Sequence, residues 1–320
     1  MKHHTCFLVF VLVLGLGACQ NQTKDFSADV ETARPLYSVA WGDSYNRVAL
    51  VGSLSEHPSI NGGTGTWILA HEDLAVKING ETLVSRETPC DVSSMNQGIG
   101  LCDDALYYPS ADKVLRVDSG TAPVSAAPGL MGRLLYLMDN QGTLHVMDSG
   151  IGSLASDDGI LLLYSDRNSG MAVVSGNGSR VFAEFLLPGV PMAHVVQDQR
   201  VYIAWYNRYT QEMGVAILDL LDMADIEMGV AMVVAAPPTS IALDHSALVA
   251  VTFDGGRAAP LLVDPALGVI ENIPATFFTT MPDKVFSFPN KEGLYFWNSE
   301  SSTLTRFDTL SGKIITTQIL

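Results

Sequence analysis

Charge is scarce in this chain, and positive charge most of all. Asp, Glu, Lys and Arg make up 16% of the 320 residues; 18 Lys and Arg face 34 acids, giving a formal charge of −16. Phosphate binding needs clustered Lys and Arg, so no nucleic-acid partner is expected. Docking on anionic lipid by charge alone is excluded on the same ground. With 48% apolar residues, the chain is neither disordered nor fibrous. The catalytic signatures G-x-S-x-G, the P-loop and H-E-x-x-H are all absent. Gly150-Ile151-Gly152-Ser153-Leu154-Ala155 fits the dinucleotide fingerprint, but a turn and the apolar run Ile160–Tyr164 follow where that mechanism needs a helix. His57, His71, His145, His194 and His245 are scattered singly, and the acidic pairs Asp103-Asp104 and Asp157-Asp158 lack the spacing of a calcium loop. No metal or cofactor is therefore expected.

What is present begins with an address. Met1-Lys2-His3-His4 is basic, and Phe7–Leu16 is apolar but only about ten residues long. A bilayer-spanning helix needs about 20, so this is a signal peptide. Leu16-Gly17-Ala18-Cys19 resembles the bacterial lipobox. The resemblance implies removal of residues 1–18, acylation of Cys19 and anchoring by several acyl chains, since one chain alone binds marginally. The mature chain would hold 302 residues with charge −17. Gln20, where Asp is absent, implies transport to the outer membrane in a Gram-negative cell. In a Gram-positive cell the same box implies the outer side of the plasma membrane. An ordinary signal peptide with a chance Cys is the alternative. Residues 19–34 are polar and without apolar rhythm, and read as a tether, part of which could pair as an outer strand of the last unit.

Cysteine is equally sparse. Cys6 leaves with the signal and Cys19 is assigned to the anchor, which leaves Cys90 and Cys102. An even pair in an exported chain reads as a disulfide, with free thiols as the alternative. The short closed loop makes it worth about 3 kcal/mol.

Residues 35–320 read as one all-β domain: short apolar runs bounded by Gly, Asp, Asn, Ser and Pro. A strand ending in an Asp turn recurs. Leu304–Asp308 followed by Thr309-Leu310-Ser311-Gly312-Lys313 is the best copy, with weaker ones ending at Asp118, Asp148, Asp219 and Asp264. Thr66–His71 and Met171–Ser175 serve as degenerate copies. The gaps between successive copies are 47, 30, 27, 44, 45 and 44 residues. A four-stranded propeller blade takes about 40–50. The two short gaps mean either two trimmed blades or one blade over 118–175 with an inserted hairpin. The reading is a β-propeller of about seven blades, with six as the alternative. Ile217–Met228, with Asp at 219, 222 and 225, is read as strand–turn–strand rather than as an amphipathic helix.

Phe307-Asp308-Thr309-Leu310-Ser311-Gly312-Lys313-Ile314-Ile315 resembles the quinoprotein and YVTN-type propeller repeat. Lipoprotein propellers of that kind include scaffolds of outer-membrane assembly machinery. The resemblance implies a non-enzymatic, membrane-anchored binding protein with an envelope protein as partner. A hydrolase or lyase working in the central funnel is the alternative. A quinone-dependent dehydrogenase is disfavoured, because Thr316 and Thr317 stand where that repeat carries Trp. Tyr202, Trp205, Tyr206 and Tyr209 form the densest aromatic group. Trp205 reads as packing, while Tyr206 and Tyr209 are placed beyond the strand as partner contacts. Ser59–Thr66, with its Gly run, reads as a loop.

Overall fold

In the computed structural model, residues 31–319 are described apart from 55–65, 72–73, 81, 118–121, 130–132, 152–158, 245–247 and 289–290. The stretch expected to be a signal peptide, Cys19 and residues 59–65, expected to be a loop, lie outside them. Two strands come first, β1 (Glu31–Ala40) and β2 (Arg47–Ser53). Then come β3 (Thr66–His71), β4 (Leu74–Asn79) and β5 (Thr82–Glu87); β6 (Ser94–Asn96), β7 (Ile99–Leu101), β8 (Ala105–Tyr108) and β9 (Lys113–Val117); β10 (Pro123–Pro128), β11 (Leu134–Asp139) and β12 (Thr143–Asp148); and β13 (Gly159–Tyr164), β14 (Gly170–Ser175) and β15 (Val181–Leu186). The last third holds β16 (Val190–Gln197), β17 (Arg200–Asn207), β18 (Glu212–Asp219), β19 (Ile226–Met228) and β20 (Met232–Val233); β21 (Pro238–Leu243), β22 (Val249–Phe253), β23 (Leu261–Asp264) and β24 (Gly268–Asn272); and β25 (Lys284–Phe288), β26 (Lys291–Asn298), β27 (Thr303–Asp308) and β28 (Lys313–Ile319).

These strands make a propeller-like ring of antiparallel sheets. The groups β3–β5, β16–β20, β21–β24 and β25–β28 are each a sheet of consecutive strands. The N-terminus breaks that locality. β2 pairs with β13 as the inner strand of the order β2-β13-β14-β15. β1 joins two groups: Glu31–Ala33 run parallel to β9, and Arg34–Ala40 run antiparallel to β12. The two short gaps now have a cause. The local stretches 123–148 and 159–186 supply three strands each, and β1 and β2 complete them from about 100 residues away. The reading of 118–175 as one blade with an inserted hairpin is corrected. So is the phase of two copies: Thr66–His71 is an inner strand, and Asp118 follows β9, the fourth strand of its group. The stretch read as tether gives residues 31–34 to β1, where Glu31–Ala33 pair beside β9 and Arg34 beside β12, not in the last unit.

Apolar clusters fill the spaces between neighbouring sheets. They run from β3–β5 to β6–β9, to β10–β12, to β13–β15, to β16–β20, to β21–β24 and to β25–β28. A last cluster, with Ile68, Val76 and Ile78 against Phe288, Tyr295 and Trp297, closes the circle. A sheet covered on both faces needs no polar side, which is why β11 and β22 are buried at every residue. The outer strands β5 and β15 are largely exposed.

The Asp turns have one mechanism. Asp148, Asp219, Asp264 and Asp308 each accept, through Oδ1, the amide two residues on, at 2.8–3.0 Å. Gly268 and Gly312 follow two of these turns at φ +92° and +64°, backbone that favours glycine. Cys90 and Cys102 form the expected disulfide, with Cα atoms 6.1 Å apart.

Candidate functional site

The inner strands β2, β3, β6, β10, β16, β21 and β25 surround an axial channel with a cavity of about 710 Å³. Their edges are bridged by side chains. Gln97 Nε2 donates to Leu50 O at 2.9 Å and its Oε1 accepts from Leu50 N at 3.0 Å. Asn96 Nδ2 donates to Ala126 O and Val48 O. Ser240 Oγ donates to Val285 O and accepts from Val285 N. Inner strands of different sheets diverge, so backbone groups at the axis need such bridges. Ser240 of β21 and Lys284 of β25 supply such bridges to the next inner strand.

Two basic side chains line the channel, His194 and Lys284; no Asp, Glu or Arg does among the described residues. The His194 ring meets Tyr164 edge-on, with centroids 6.0 Å apart. Burial pushes its pKa down to about 4, so it is neutral at pH 7. Burial likewise raises the Tyr164 hydroxyl. It lowers the Lys284 ammonium, against the opposing pull of Asp283. Lys284 Nζ donates to Leu69 O at 3.4 Å. A neutral imidazole and one ammonium can bind a polar ligand group. Among the described residues, no paired carboxylates of general acid–base hydrolysis line it.

His194 also sets a pH dependence. Unfolded, it takes up a proton near pH 6.5; folded, it waits until about 4. Between these values the unfolded state holds more protons, so stability falls as pH drops and is steady above 6.5. The full shift is worth about 3 kcal/mol, less where channel water reaches the ring. Urea unfolding at pH 7 and pH 4.5 should show that drop, and His194→Gln should remove most of it. An equal drop in the variant would assign the effect elsewhere.

A second polar cluster was invisible in the sequence. His145 Nε2 lies 3.0 Å from Asp139 Oδ2, and its Nδ1 lies 2.8 Å from Ser38 Oγ. The residue types are those of a hydrolytic triad, but their other bonds describe a brace. Asp139 Oδ1 accepts the amides of Gln141 and Thr143, closing the β11–β12 turn. His145 and Ser38 are directly paired across β12 and β1. Among the described residues no group of three or more His, Cys, Asp or Glu could hold a metal ion.

The aromatic group divides. Trp205 packs in the cluster between β13–β15 and β16–β18, as expected. Tyr206 does not lie beyond the strand: it is within β17, buried in the core next to β21–β23. Strand β17 runs to Asn207, two residues further than its apolar pattern indicated. Tyr209 sits in the β17–β18 turn, 99% exposed. Near it an apolar band follows the outer strands of two adjoining sheets. Met228, Val230 and Val233 lie along β19–β20, and Leu267 and Val269 flank the start of β24; all five are exposed. Val230 N donates to Pro265 O, which joins the two parts. No sequence signal marked this band, because it forms only when two outer edges meet.

No family model matches the chain, and no curated protein is similar to it. Solved structures are. A catalytically inactive variant of virginiamycin B lyase from Staphylococcus aureus, with quinupristin, aligns over 81% of this chain and 95% of its own at 12% identity and a TM-score of 0.51. Sqt1 from Saccharomyces cerevisiae aligns over 90% and 89% at 10% identity, TM-score 0.50. The computationally designed Ika8 protein aligns over 86% and 90% at 11% identity, TM-score 0.50. The likeness is one of fold alone. It agrees with the ring of sheets and assigns no chemistry.

Proposed function

We propose that this chain is an exported, lipid-anchored, seven-bladed propeller that binds a protein partner at the bacterial envelope without catalysing a reaction. The count follows from assigning the two halves of β1 to the separate sheets they extend. Residues 1–18 act as the signal and Cys19 carries the acyl chains; with Gln20 next, a Gram-negative cell would place the protein at its outer membrane. The apolar band from Met228 to Val269, ending at Tyr209, carries the binding proposal. Exposed apolar side chains gathered on two joined edges of an otherwise acidic protein are costly to leave in water and suit a partner interface. A photo-crosslinking amino acid at position 209 should trap one adduct of discrete mass in cells. The same probe at Val181, exposed on a different sheet, should not. Equal labelling at both positions, or none at either, would count against the band.

The channel favours a second reading, a hydrolase or lyase with its site at the axis. Its support is the cavity with neutral His194 as base and Lys284 as the cationic group. A small-molecule turnover abolished by His194→Gln would establish it.

A further inference from the structure

The axial cavity, at about 710 Å³, has the size of a small-molecule site. Much of its wall is apolar, with Ile68, Met192, Ile241, Phe286 and Phe288 in it. Of its polar side chains, Asn96, Gln97 and Ser240 are taken up by the bridges between inner strands. Four others are not. The Tyr108 hydroxyl is buried without a partner. Among the described residues, neither the Tyr164 hydroxyl nor the His194 ring nitrogens have a hydrogen-bond partner. Lys284 forms no ion pair there, and its 3.4 Å bond to Leu69 O engages one of three ammonium hydrogens. The carboxylate next to it in sequence, Asp283, is not part of the wall; its Oδ1 accepts from Ser299 N at 3.2 Å.

An ammonium out of water is costly unless an anion accompanies it. The surroundings of Lys284 say which anion. A phosphate is held by several cations, by an Arg fork or by a helix N-terminus. Among the described residues the channel has no Arg, its His194 is neutral, and no α-helix points into it. One ammonium matches one negative charge. The apolar wall around it matches an apolar body, and no carboxylate lines the cavity to draw in a cationic ligand instead.

We propose that the axial channel binds a small monocarboxylate with a largely apolar body, its carboxylate on Lys284 Nζ. The site requires neither a protein at the apolar band nor a reaction at the axis, so it stands apart from both readings of function.

Calorimetric titration of the full chain with octanoate, octanamide and octylamine at pH 7 tests this. The three probes share one apolar body and differ in charge. Octanoate should bind one to one, at least ten-fold tighter than octanamide, because a charge-assisted hydrogen bond is about twice as strong as a neutral one. Octylamine should be the weakest. Lys284→Met should leave octanoate no tighter than octanamide, Lys284→Arg should keep the preference, and Val230→Asp should not alter it. Equal affinity for octanoate and octanamide in the unmodified chain would overturn the proposal, and that comparison needs no variant to fold. No measurable binding of octanoate, or a preference that survives Lys284→Met, would overturn it as well.

Discussion

Replacing Trp297 with alanine is expected to cost about 4 kcal/mol, in the range for deleting a buried Trp. The side chain is fully buried in β26, in the one cluster that joins the last sheet to β3–β5 and so closes the ring. The cavity would open between two sheets that no described backbone ladder connects, so little can collapse into it. Trp297→Phe should cost far less. It keeps most of the apolar contact and removes a buried indole N–H that has no acceptor. Guanidinium unfolding of the three proteins checks both values. A loss under about 1 kcal/mol for Trp297→Ala would mean that the ring is not held there.

Ala49→Asp should be at least as severe, at more than about 4 kcal/mol, because it buries an unpaired carboxylate and overfills a packed site. Ala49 is fully buried in β2, opposite Leu162 of β13. It lies in the first fifth of the chain, yet it holds the inner edge of a sheet built from residues 159–186. The same charge at Leu186, 76% exposed on the outer strand of that sheet, should change stability by less than about 0.5 kcal/mol. Soluble yield and urea midpoints measure the difference. Equal effects would mean that β2 is not the inner strand.

The contrast between Ala49 and Leu186 also marks how far the fold was legible. The last three sheets were readable because each is built from consecutive strands, and the Asp turns that space them are local chemistry: a carboxylate capping an amide two residues on. The gaps of 30 and 27 residues recorded that something was missing, but not what. Pairing of β1 with β12 and of β2 with β13 crosses about 100 residues, and no local pattern encodes it. The same long reach hid the Ser38–His145–Asp139 brace. Thr66–His71 was taken for an Asp-turn strand because short apolar runs read alike whatever their place in a sheet. In the channel, no local pattern showed that His194 and Lys284 would come to line one cavity as its basic groups. Tyr209 lies beyond its strand, in a turn, as its sequence position indicated, while Tyr206 was misplaced because a strand's end is the least marked feature of a hydrophobic run.

The most direct test of the binding account is recovery of a partner after in-cell crosslinking and affinity purification from solubilised membranes. Three proteins would be compared: the unmodified chain, Val230→Asp with Leu267→Asp, and His194→Gln with Lys284→Ala. The account predicts one partner near equimolar amount, lost with the band substitutions and kept with the channel substitutions. No stoichiometric partner, or a loss that follows the channel pair, would contradict it and move the function to the axis of the ring.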